Sequence, residues 1–165
     1  MATTTKKKPA AKKTTTTKKV APKSAKKMTP KEVLAMLKAK YDQVFDDGGV
    51  YAIKSNGKWG FADANGNVKI KPCYSALGDS WVEGAIAIWG TGGIGFLNKN
   101  LKEIVKPQFA VTSDFKNGIA TVKKQNKWGI IDKNGKVVVP LVFDSMERYG
   151  NKIIAKIGSF EFVTK

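Results

Sequence analysis

The chain has 165 residues, of which 30 are Lys or Arg and 13 Asp or Glu, for a formal net charge of +17. It contains no histidine and a single cysteine, Cys73. An internal disulfide framework, a cysteine-based zinc site and the usual serine or cysteine triads are therefore excluded, since the common general base and metal ligand is missing.

The charge is unevenly placed. Residues 1–27 hold Lys6, Lys7, Lys8, Lys12, Lys13, Lys18, Lys19, Lys23, Lys26 and Lys27 and no acid, while 28–40 add three lysines against Glu32. The rest of the chain carries 17 basic and 12 acidic residues. A lysine-rich stretch without aromatics cannot bury enough apolar surface to offset its ordering entropy, so an arm disordered when free is expected. Its composition resembles the Lys, Ala and Pro-rich tails of linker histones and bacterial histone-like proteins. That resemblance implies a polyanionic partner, DNA or RNA, held through the ten lysines without base specificity; an acidic protein surface is the alternative. No apolar run of signal-peptide length follows the basic N-terminus, and none approaches a membrane span. The expected location is cytoplasmic or nucleoid-associated, or within a virion.

Thr29-Pro30-Lys31-Glu32 is a capping-box start with proline at the first helical position. Val33, Leu34, Leu37, Tyr41, Val44 and Phe45 follow at helical spacing, and Asp46-Asp47-Gly48-Gly49 closes the run. The expectation is an amphipathic helix within residues 28–47 that caps a β domain over 48–165. Docking of a partner on its apolar face, over 30–45, is the other reading.

From there the chain repeats itself. Val50-Tyr51-Ala52-Ile53 recurs as Ala85-Ile86-Ala87-Ile88, Ile119-Ala120-Thr121-Val122 and Ile154-Ala155-Lys156-Ile157. Trp59-Gly60-Phe61-Ala62-Asp63 recurs as Ile94-Gly95-Phe96-Leu97-Asn98 and Trp128-Gly129-Ile130-Ile131-Asp132, with a degenerate copy from Phe160 to Thr164. Apolar alternation then runs into Pro72, Pro107 and Pro140, each followed by an aromatic, Tyr74, Phe109 or Phe143. These units resemble the WG-repeat (KWG) family over about residues 44–165, most closely in NGKWGFADANG at 56–66 and QNKWGIIDKNG at 125–135. The middle copy departs, with Ile94 in the tryptophan place and Leu101 in the place of the turn glycine.

The predicted fold is all-β: about three and a half repeats, each a three-stranded antiparallel meander. Hairpin turns are expected at Asp63-Ala64-Asn65-Gly66 and Asp132-Lys133-Asn134-Gly135, with the Asp carboxylate accepting backbone N–H bonds. The glycine after each tryptophan is expected to let a neighbour approach, and each proline to stop the third strand. Trp59 and Trp128 could stack bases beside Lys58 and Lys127, or serve as inter-repeat core. Trp81 and Trp89 face the same choice.

Several apparent motifs dissolve on inspection. Gly90-Thr91-Gly92-Gly93-Ile94-Gly95 fits GxGxxG but leads into a repeat strand, where a dinucleotide site needs a helix. The Asp-x-Asn-Gly turns lack the twelfth-position glutamate of a calcium loop. Asp79, Glu83, Asp114 and Asp144 are scattered near repeat corners, and Cys73 is expected to be a buried or incidental thiol. No catalytic residue, metal or cofactor is implied. The WG resemblance implies protein interaction or scaffolding, so the sequence points to a non-enzymatic, nucleic-acid-associated binding protein. A structural component whose arm binds an acidic protein surface is the rival.

Overall fold

A computed structural model describes residues 27–164. Lys6 to Lys26 of the basic segment lie outside the described residues; Lys27 is exposed.

Helix α1 spans Pro30–Lys40. The capping box forms as the sequence demands: Glu32 Oε2 accepts the Thr29 N–H at 2.7 Å, and Thr29 Oγ1 accepts the Glu32 N–H at 3.3 Å. The helix is shorter than expected. Tyr41 turns extended (φ −122°, ψ 149°) while its N–H still bonds the Leu37 carbonyl. Val44 and Phe45 belong to strand β1 (Gln43–Asp46), paired antiparallel with β2 (Tyr51–Ser55). A β-branched and an aromatic residue suit the pleated surface of a strand, and Val44 there packs into the cluster under α1. Phe45 lies on the opposite face and is exposed.

The remaining strands follow in order: β3 (Lys58–Ala62), β4 (Val68–Tyr74), β5 (Ala76–Leu77), β6 (Ala85–Gly90), β7 (Gly93–Asn98) and β8 (Glu103–Phe109). Then come β9 (Val111–Thr112), β10 (Ile119–Lys124), β11 (Lys127–Asp132), β12 (Val137–Phe143), β13 (Ser145–Tyr149), β14 (Lys152–Ile157) and β15 (Phe160–Val163). They form four antiparallel meanders, β1 to β4, β5 to β8, β9 to β12 and β13 to β15. Three of the sheets thus have four strands where three were expected. The added strands β5 and β9 are two residues long, too short to show period-2 alternation.

The first three sheets each divide their apolar residues between two neighbours, one on either face. In β6, Ile86 and Ile88 cluster with Phe61 and Tyr74 of the first sheet, while Ala85 and Ala87 cluster with Phe115, Ala120 and Val122 toward the third. Phe96 meets Phe115 edge-on at 4.9 Å between centroids, as Phe61 meets Trp81 at 6.1 Å. Ile130 of the third sheet packs with Met146, Ile153 and Ala155 of the fourth. On the far side of the first sheet, Val33 and Leu37 of α1 cover Tyr51, Ile53 and Ala62.

The corners between sheets stack at the repeat interval. Glu83 accepts the N–H groups of Asn117 and Gly118 at 2.7 and 2.9 Å, and Lys116 Nζ donates to the Gly150 carbonyl at 2.9 Å. The Gly118 bond, then the Lys133 ammonium, hold the Glu83 carboxyl below its ordinary value.

The prolines do not stop their strands. β4, β8 and β12 run on to Tyr74, Phe109 and Phe143, which pair with Trp59, Ile94 and Trp128. Between Trp59↔Tyr74 and Phe61↔Ile70, three residues of β4 lie opposite Gly60 alone, and the same bulge recurs at Gly95 and Gly129. Proline is tolerated because these are edge strands at a bulge, where no ladder N–H is needed. The bulge also explains the glycine. A Cβ on Gly60 would stand 2.4 Å from the Ile70 carbonyl oxygen, on Gly95 2.4 Å from that of Val105, and on Gly129 2.7 Å from that of Val139.

The fourth copy sits one residue out of its sequence alignment. Phe162 pairs with Ala155 and Phe160 with Ile157, so they occupy the places of Ala62 and Gly60, not of Phe61 and Trp59. Its hairpin turns two rungs earlier than that of β2 and β3, and a one-residue slip exchanges the faces of every side chain.

The turns form as expected. Asp132 Oδ1 accepts the N–H groups of Asn134 and Lys136 at 2.8 and 2.9 Å, and Asp63 does the same for Asn65 and Asn67. In the middle copy Asn98 Oδ1 makes the two equivalent bonds, and Leu101 takes the glycine's left-handed conformation at φ 59°. The Lys136 N–H, followed by that of Asn134 and opposed by burial, holds the Asp132 carboxyl below the ordinary range. A depressed folded value means that its stabilisation is complete above about pH 4 and is lost as pH falls through the folded value. Asp132→Asn should therefore keep near-wild-type stability at neutral pH, as Asn98 does in its turn. Its stability should also fall less steeply below pH 4, as read from urea midpoints across the acid range.

Candidate binding cleft

The sheets place the aromatic residues of the first interface around an open cleft of ≈ 490 Å³. Phe45 comes from β1, Trp59 and Phe61 from β3, and Trp81 from the corner leading into the second sheet. Trp59 lies tilted against Phe45, with centroids 5.6 Å apart. Asp46, Asp47 and Asp79 stand among the lining residues, and among the described residues none of the three is in an ion pair. Lysines reach the rings from β2 and from the turn after β7: Lys54 Nζ lies 5.0 Å from the Trp59 centroid and Lys99 Nζ 5.9 Å from that of Trp81. A smaller cavity of ≈ 180 Å³ follows at the next interface, lined by Trp89, Asp79 and Asp114 among others.

The two tryptophans singled out by the sequence have unequal surroundings. Both are half-buried and both pack on inter-sheet clusters, Trp59 on that of Phe61 and Ile86, Trp128 on that of Ile130 and Met146. Only Trp59 also lines the larger cleft. Trp128 carries Lys123 at 5.7 Å from its centroid. The cleft itself was not foreseen. Its aromatics come from three separate segments, and helical spacing from Leu37 places Phe45 in the helix, whereas pairing with Ala52 puts it on the opposite face from Val44.

The remaining sequence candidates have structural partners. Gly90 and Gly93 pair across the β6–β7 hairpin, so the GxGxxG run is a turn between strands. Glu83 ties two corners together, and Asp144 accepts from Lys127 Nζ and from the Gly158 N–H. Cys73 is exposed rather than buried, since it falls on the bulge of edge strand β4. Among the described residues, no three Cys, Asp or Glu side chains gather to hold a metal ion, and no helix is long and apolar enough to cross a membrane.

Three stretches of the chain, 59–88, 94–128 and 128–158, match the family described as WG containing repeat. Together they cover more than half of the sequence, and the chain belongs to this family. Each match begins in the third strand of one sheet and runs into the second strand or beyond in the next, so one sequence repeat supplies strands to two successive sheets. No curated protein matches the chain.

Proposed function

From membership in the WG-repeat family and the placement of charge, we propose that the protein is a non-enzymatic binding protein. Its basic segment engages a polyanion, DNA or RNA, and its β array contacts protein. The observation that carries the reading is the concentration of thirteen lysines in the first forty residues against one acid, Glu32. Lysine ammonium groups neutralise phosphates and release counterions without reading bases. The array supports the second half of the reading because it offers an aromatic cleft and the exposed valines Val137, Val138 and Val142 on edge strand β12.

A titration with duplex DNA and with single-stranded RNA at two salt concentrations tests it, using the full chain and the chain lacking residues 1–27. For the full chain, the logarithm of the binding constant should fall against log salt with a slope of about 0.9 per duplex phosphate neutralised. The shortened chain should lose most of both affinity and slope. Equal affinity for the two chains sinks the nucleic-acid reading. Recovery from cells of a stoichiometric protein partner that survives nuclease would favour the scaffolding reading, in which the segment binds an acidic protein surface.

A further inference from the structure

The fourth sheet lacks the strand that finishes the other three. β4, β8 and β12 lie along the third strand of their sheets, whereas β15 is the open edge of its own, with no strand beyond it among the described residues. All four of its residues are exposed, the apolar Phe160, Phe162 and Val163 among them. β4, β8 and β12 are themselves guarded by a proline and a bulge, two devices that keep a sheet edge from pairing further. β15 has neither. Its charged residue, Glu161, is committed to Lys156 at 3.1 Å.

The backbone of β15 fixes what the edge can accept. The Thr164 N–H bonds the Ile153 carbonyl at 2.9 Å, and hydrogen-bonded rungs alternate along an antiparallel ladder, so Phe162 and Phe160 also turn their N–H and C=O groups toward β14. Glu161 and Val163 therefore turn theirs outward. Phe162 pairs with Ala155 and meets Phe143 edge-on at 5.8 Å between centroids, which puts Phe160 and Phe162 on the face toward the third sheet. β11 packs on β13 and β12 on β14, so β15 projects one strand beyond the third sheet. No strand of that sheet stands over the place beside it.

We propose that this edge joins two copies of the chain, β15 against β15 in antiparallel register about a two-fold axis at Phe162. In that register Glu161 of each copy faces Val163 of the other, and both rungs exchange their outward N–H and C=O groups. Phe162 faces its counterpart at the non-hydrogen-bonded rung between them, where side chains come closest and an aromatic pair stabilises the ladder. A register centred on Glu161 sets like charges directly opposite, which is unfavourable. The overhang leaves two strand widths, roughly 10 Å, between the third sheets of the two copies, and Phe160 and Phe162 of both copies fill it. The dimer stands independently of the polyanion reading; on that reading each particle presents two basic segments.

Sedimentation velocity of the full chain tests the proposal, in about 0.3 M salt to screen the net charge. A series from about 5 to 500 µM covers the range in which an interface of about 1,200 Å² or less dissociates. The protein should pass from monomer to dimer and no further, since a two-fold joint closes on itself. Val163→Pro removes an outward N–H and no bond to β14, so it should keep the far-ultraviolet spectrum and raise the dissociation constant about tenfold or more. In chains with Cys73→Ser, Phe162→Cys should form an intermolecular disulfide in a glutathione redox buffer, because the Cα atoms of that rung stand about 4.5 Å apart. Glu161→Cys should not, because its two copies lie more than about 7 Å apart. A chain monomeric throughout, association unchanged by Val163→Pro, or equal disulfide yields at positions 161 and 162 would each overturn it.

Discussion

Gly95→Ala is expected to lower the unfolding free energy by about 3 kcal/mol, at the upper end of the usual cost of forcing extra atoms into packed surroundings. Ile94→Trp, one residue away, should be much milder. The added Cβ would meet the Val105 carbonyl oxygen at 2.4 Å and the Pro107 nitrogen at 2.6 Å, both backbone atoms of the β8 bulge that cannot swing aside as a side chain can. Position 94, by contrast, faces Phe109 across the ladder, where the other copies place tryptophan opposite Tyr74 or Phe143. Urea melts of the two variants check the contrast. The comparison separates the two letters of the repeat signature: glycine is required by the close approach of the bulged strand, whereas the tryptophan place, half-buried in the first and third sheets, holds the buried Ile94 in the second. The same logic covers the fourth copy. There Phe160 holds the glycine place, 71% exposed, and no fourth strand crosses it.

How much of this was legible in sequence depended on whether the signal was local. The Asp63 and Asp132 turns and the Thr29–Glu32 capping box are set by residues within four positions of one another, and they form as read. The self-similarity gave the sheets because each repeat places matched residues at matched rungs. Three features escaped for identifiable reasons. Val44 and Phe45 satisfy a helical spacing from Leu37 and a strand alternation equally well, and pairing with Ala52 and Ile53 decides between them. Pro72, Pro107 and Pro140 read as strand stops, but an edge strand at a bulge has no ladder bond for them to break. The register of Phe160 and Phe162 depends on the length of the hairpin before them. The cleft was the least legible feature, since Phe45, Trp59 and Trp81 meet only when two sheets are stacked.

Leu37→Ala should cost about 3 kcal/mol, the usual range for a buried leucine that leaves a cavity behind, whereas Lys38→Ala on the exposed side of α1 should stay within about 0.5 kcal/mol. Paired denaturant melts distinguish them. The size of the first effect follows from what Leu37 covers. Tyr51, Ile53 and Ala62 stand at the places that Ile86, Ile88 and Leu97 hold in the second sheet, where the first sheet buries them. In the first sheet no sheet precedes them, and α1, with Leu37 only 1% exposed, takes that place. The opposite face of the array is finished by a different means. The pairs that point toward the following sheet are Ala52↔Phe61, Ala87↔Phe96 and Thr121↔Ile130; in the fourth sheet the corresponding pair is Lys156↔Glu161, joined by a 3.1 Å ion pair. A charged pair at that rung would have to be desolvated to receive another sheet, which an exposed ion pair cannot offset. The two ends of the stack are thus closed by a buried leucine under a helix and by a polar rung, and the predicted asymmetry follows: loss of Leu37 opens a core, while the fourth sheet's outer face has none to open.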